Sequence, residues 1–201
     1  ASQASSLTVT QLRALTTTQV ASLSTDDVGE FTTTQIGALT TTHVRAFSET
    51  NLAALAQAQV SALTAAHIQA LSTTAFSALA DTQIAAMSTT QIAALDAADI
   101  AEFTTTQLGA MSTTQVRALT AGGMAALTEA QIGALRATQI QALSTSALTG
   151  LSETQLSALT TTQIAALTTA QMRALTETSV AALTETQMSA FTGSQMQQIS
   201  N

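Results

Sequence analysis

An eight-residue phrase fills this chain from one end to the other, and few folds can be built on that period. Residues 159–167 read LTTTQIAAL, and with small changes the phrase recurs without insertion or deletion. Position 7 and every eighth residue from it to 199 carry Leu, Phe, Met or Ile, in 25 cases of 25. Position 12 and every eighth residue from it to 196 carry Val, Ile, Leu, Met or Phe, in 24 cases of 24. A left-handed coiled coil needs a period of seven, and familiar solenoid repeats run from about twenty to fifty residues. In one continuous α-helix, eight residues overshoot two turns by about 80°, so the apolar positions spiral around the rod and form no stripe. On an uninterrupted strand the two apolar anchors, five and then three apart, fall on opposite faces. A β-solenoid also needs Gly or Asn at tight turns, and eight Gly and two Asn serve 25 units here.

Each octad reads instead as the start of a helix. In Leu15-Thr16-Thr17-Thr18-Gln19-Val20, the Thr16 hydroxyl is suited to accept from an orphan amide of the first turn. Gln19, three residues on, can reach back to the Thr16 amide and complete a capping box, with Leu15 and Val20 as the flanking hydrophobic staple. The residue after the first apolar position is Ser or Thr in 21 of 25 octads; Asp96 is an equivalent capper, and Ala56, Ala80 and Arg136 are the exceptions. The residue before it is Ala in 19 of 24, which lets helix axes approach closely.

The pattern predicts an all-α solenoid, a superhelix of about two dozen two-turn helices, one per eight-residue repeat. Residues 1–6 are a lead-in, 7–199 one continuous repeat region and 200–201 a tail. One octad buries too little to offset the entropy of ordering it, so stability is expected to come from neighbouring units. Residues 25–47 resemble residues 97–119 at a shift of 72, which is nine octads. That shift keeps register if three helices make a turn and breaks it in a two-layer stack, but it also fits a duplication among equivalent octads.

Composition removes several classes of function. Lys, Pro, Cys, Trp and Tyr are absent, charged residues make up 8%, and the net charge is −7 with five Arg. A phosphate backbone needs a basic stripe, so nucleic acid is not an expected partner. No apolar run is long enough for a membrane span, and the opening ASQASS has neither the basic nor the apolar region of a signal peptide. No nucleophile, base and orienter recur together, so no enzyme activity and no cofactor are expected.

A few residues are weak candidates for a metal. His43 and His67 are the only histidines; they lie 24 residues apart and both replace the capping-box Gln. They would stack if three octads made a turn, but no third ligand is evident. Asp26, Asp27 and Glu30 form one acidic group, and Asp96, Asp99 and Glu102 another. Carboxylates suit calcium, but acids early in a helix also favour its positive end. Arg13, Arg45, Arg117 and Arg173 share one variable position and read as solvated charges, and Gly122-Gly123 as a locally loosened helix start.

LTTTQIAAL tiled without gaps resembles the octapeptide-repeat regions of very large, secreted or surface-anchored, adhesin-like bacterial proteins. The resemblance implies an extracellular or cell-surface rod, spacer or stalk, and it transfers no catalytic residue. A second expectation is a filament subunit that stacks end to end, since Leu7 and Ile199 obey the repeat almost to both ends. Partners are then further copies, end to end or lateral, or flanking segments of a longer chain. A third is an ice- or surface-binding protein, because the T-x-T of each repeat resembles the Thr arrays of insect ice-binding proteins, which are flat β-solenoids.

Overall fold

The computed structural model of the chain describes residues 4–199. Among these residues are 24 α-helices and no strand; the helices are numbered in chain order from α1 (Val9–Arg13) to α24 (Gly193–Ile199), after one 3-10 turn at Ala4–Ser6. The all-α reading of one helix per octad holds. The 200–201 tail and the first three lead-in residues lie outside the described residues. The helices are shorter than the expected two turns: α2 (Thr17–Ala21) has 5 residues and α4 (Thr33–Ala38) has 6.

Such short helices consist almost wholly of ends, so nearly every backbone group needs a partner outside the helix. At the start of α2, Gln19 N donates to Thr16 Oγ1 at 3.2 Å, and Thr16 N donates to Gln19 Oε1 at 2.8 Å. Thr16 itself is extended, at φ −76° and ψ 158°. At the other end, Leu23 N donates to Val20 O at 3.2 Å. The extended cap residue turns the chain into the next helix, and no described residue, glycine included, has a positive φ. Left-handed glycine, the common helix terminator, is therefore not required. Where the cap lacks a hydroxyl, the amide bonds the cap carbonyl: Gln59 N donates to Ala56 O at 2.9 Å and Gln139 N to Arg136 O at 2.8 Å.

The chain divides into two compact units, one ending at Leu95 and one starting at Asp96. In the first, α4 packs on α1, α7 (Gln57–Ala62) on α4 and α10 (Asp81–Ala86) on α7. In the second, α15 (Ala121–Ala126) packs on α12 (Ala97–Ala101), α18 (Thr145–Thr149) on α15 and α21 (Thr169–Ala174) on α18. Each unit thus places three helices, and 24 residues, in every turn. The inner positions are sealed: Val28, Ile36, Val60, Ile84 and Ile132 are all 0% exposed. Leu7, Leu15 and Leu23, in the first turn, are only half-buried.

Two glycines lie where a neighbouring turn comes close. A Cβ on Gly123 would stand 3.3 Å from Ile100 Cγ1, and one on Gly150 only 2.6 Å from Ala121 O. The Gly122-Gly123 pair does not loosen its unit; α15 is a complete helix, with Gly123 N donating to Thr120 Oγ1 at 3.1 Å. A Cβ on Gly29, at the end of α3 (Thr25–Gly29), would meet nothing within 4 Å. Gly150→Ala is therefore expected to destabilise the protein by about 1–3 kcal/mol, because backbone must move. Gly29→Ala is expected to stabilise it by about 0.5–1 kcal/mol through helix propensity. Urea unfolding of the two variants beside the parent checks the opposite signs.

Candidate functional site: a glutamine ladder between turns

The third residue of each helix is the point on which successive turns meet. Gln59 of α7 is 3% exposed, and its two amide atoms bond in opposite directions. Its Oε1 accepts from Ala56 N at 2.7 Å, within its own helix start. Its Nε2 donates to Val28 O at 2.9 Å and to Phe31 O at 2.8 Å, in the turn before. Gln163 repeats the arrangement, with Thr160 N at 2.7 Å and with Ile132 O at 3.0 Å and Leu135 O at 2.6 Å. Gln35, Gln83, Gln91, Gln139, Gln171 and Gln195 likewise donate to the carbonyl 28 residues earlier. One side chain thus caps the start of its own helix and the carbonyl end of a helix one turn back. The nearer of these carbonyls lies past the helix end, whereas the farther one also accepts from a local amide, as Ile132 O does from Leu135 N at 3.2 Å.

The histidines are rungs of the same ladder. His43, in α5 (Thr41–Arg45), and His67, in α8 (Ala65–Ala70), lie on stacked helices, as three octads per turn requires. His67 Nδ1 accepts from Thr64 N at 3.2 Å, and its Nε2 faces Leu39 O at 2.9 Å. His43 Nε2 faces Leu15 O at 2.9 Å. A neutral ring carrying its proton on Nε2 reproduces the acceptor and donor of Gln. Burial holds the His67 pKa below its ordinary value, against the opposing pull of the Leu39 carbonyl.

The acidic candidates are dispersed along helix ends. Asp27 is the third residue of α3; the Ser24 hydroxyl, donating at 2.6 Å, and then the Ser24 amide hold its carboxyl below the usual range. Asp26 is exposed in the same first turn, and Glu30 is exposed at the end of α3. Asp96 caps α12, accepting from Asp99 N at 2.9 Å, and Glu102 is exposed at the end of that helix. Asp99 holds the ladder position, and burial pushes its carboxyl up, against the lowering bond from the Asp96 amide. Among the described residues no three His, Cys, Asp or Glu come together in a way that holds a metal ion.

The arginines do more than meet solvent. Arg13 Nε donates to Ala38 O at 2.7 Å and Arg45 Nε to Ala70 O at 3.0 Å, each 25 residues ahead at the end of a helix in the next turn. A cation at a helix C-terminus also meets the negative end of its dipole. The T-x-T hydroxyls lie at helix N-termini and not on strands; Thr40 Oγ1 and Thr42 Oγ1 are 2.7 Å apart. No helix among the described residues is long and apolar enough to cross a membrane.

The chain belongs to the ALTTAQ repeat family, whose description matches residues 4–41, 92–129, 100–145 and 132–169, together more than half of its length. The six letters occur as Ala166-Leu167-Thr168-Thr169-Ala170-Gln171, and so contain the cap and the ladder glutamine. Comparison with curated proteins finds no relative.

Removing a rung leaves a buried carbonyl without its donor, as Leu135 O is without Gln163. Gln163→Ala is expected to cost about 1–3 kcal/mol, and more than Thr160→Ala, which removes one cap at about 1 kcal/mol; chemical unfolding ranks the two. His67 gives a pH signature. With the folded pKa below the unfolded value of about 6.5, the unfolded chain binds the proton more readily. Stability is then full above that value and falls as pH drops through the folded pKa. His67→Gln is expected to abolish this part of the acid loss in melts taken between about pH 7 and pH 5.

Proposed function

We propose that this region is a non-enzymatic structural spacer, a rod or stalk segment of a bacterial surface or adhesin-like protein, working outside the cell. The observation that carries the reading is the ladder. Each turn is fastened to the one before by the same side chain in the same register, so length scales with the number of 24-residue turns. The polar groups of the repeat, Gln, His and the cap hydroxyls, bond to backbone at helix ends. The octapeptide resemblance supplies the surface and adhesin context.

A spacer lengthens by a fixed step. Spin labels at Thr113→Cys and Thr186→Cys, both exposed and both in the second unit, bracket residues 145–168. Duplicating those three octads is expected to lengthen the label-to-label distance by about 8–10 Å, the spacing of packed helices. An unchanged distance, or a broad coil-like distribution, contradicts the spacer.

A further inference from the structure

The ladder lacks its amide at α9 (Thr73–Ser77), where the third helical residue is Ala75. At a glutamine rung such as Gln83, Oε1 accepts from the amide of the cap residue, and Nε2 donates to carbonyls 28 and 31 residues back. The same register at α9 brings together Ser72 N on one side and Phe47 O and Val44 O on the other. Among the described residues, neither Ser72 N nor Phe47 O takes part in a hydrogen bond. The Ser72 hydroxyl does not cap its helix either; it pairs with Thr74 Oγ1 at 3.1 Å. A pocket of about 410 Å³ opens here, with Val44, Phe47, Leu71, Ser72 and Ala75 in its lining.

Two other rungs without Gln leave the equivalent backbone groups without a hydrogen bond among the described residues, Ser144 N and Leu119 O at α18 and Thr176 N and Leu151 O at α22, but their surroundings differ from those of α9. In α18 the rung residue is Ala147, but the helix is followed by Gly150, and the Ala121 backbone lies where a Cβ would stand, 2.6 Å from Ala121 O. The turn below thus moves in towards α18. The equivalent residue after α9 is Ala78, whose Cβ bars the same approach. In α22 (Glu177–Ala181) the rung residue is Ser179, which brings a hydroxyl of its own, 2.9 Å from Thr176 Oγ1.

We propose that the α9 gap binds a primary carboxamide, free or on a glutamine side chain of a peptide. The two unmet backbone groups are one donor and one acceptor, and the intact rungs show that one CONH₂ group spans both. Of these two backbone groups an ammonium meets only the carbonyl and a carboxylate only the amide, whereas a carboxamide meets both; Arg45 and Glu49 also line the pocket. Val44, Phe47 and Leu71 give apolar contact to the carbons that carry it.

The probe is propionamide, the glutamine side chain without its backbone, followed by amide NMR titration of the full chain. Saturable shifts are expected at Ser72 and at residues 44–47, with a Kd on the order of 10 mM for so few atoms. Propionate and N,N-dimethylpropionamide each keep half of the group, and are expected to bind at least about tenfold more weakly, as a single lost hydrogen bond to a buried partner implies. Ala75→Gln supplies the amide from the chain itself. That variant is expected to melt about 2–4 °C higher and to lose the propionamide shifts. N-acetylglutamine methylamide separates the two sources: tighter binding than propionamide assigns the site to a peptide glutamine, and exclusion assigns it to a free amide. The proposal is overturned if propionamide gives no saturable shift at Ser72, if propionate binds equally well, or if Ala75→Gln binds the probe as the parent does.

Discussion

Helices of five or six residues leave most of their amides and carbonyls without intrahelical partners, and the glutamine at the third helical position meets that need twice. Its oxygen takes the amide of its own cap residue, while its nitrogen reaches the carbonyl end of a helix one turn earlier, as Gln59 does at 2.7 and 2.9 Å. Local capping and long-range stacking are therefore one interaction. A shift of a turn against its neighbour breaks the cap and the stack together, which ties register to the stability of each helix.

The apolar side chains explain burial but not register. Leu, Ile and Val at the two repeat positions fill each turn, with Val60, Ile68 and Ile140 at 0% exposure. Such contacts are non-directional and tolerate sliding. A buried amide that must find particular carbonyls does not, because an unmet polar group in the interior is costly. Arg13 and Arg45 add the opposite sense of fastening, each reaching 25 residues ahead.

Half of this was legible in the sequence. The cap, the staple and the one-helix octad follow from Ser or Thr, Gln and the apolar pair within a few residues of each other, and local patterns carry local structure. The second bond of rungs such as Gln59 was not legible, because its partners lie 28 to 31 residues away and are backbone atoms, which have no letter. For the same reason Arg45 reads as a solvated charge and not as a clasp. Three helices per turn was only one of two readings of the 72-residue similarity, since all octads look alike. His43 and His67 were readable as Gln substitutes, and their rings do reproduce its acceptor and donor. The gap at Ala75 becomes a feature only once the ladder is known.

The most direct test of the ladder is hydrogen exchange of the glutamine side-chain amides, followed by NMR on the full chain. Buried rungs such as Gln59, Gln139 and Gln163, at 3%, 0% and 2% exposure, are predicted to exchange their Nε2 protons orders of magnitude more slowly than exposed Gln11 and Gln19. Uniformly fast exchange, at the rate of a free primary amide, would contradict the claim that these side chains hold the turns together.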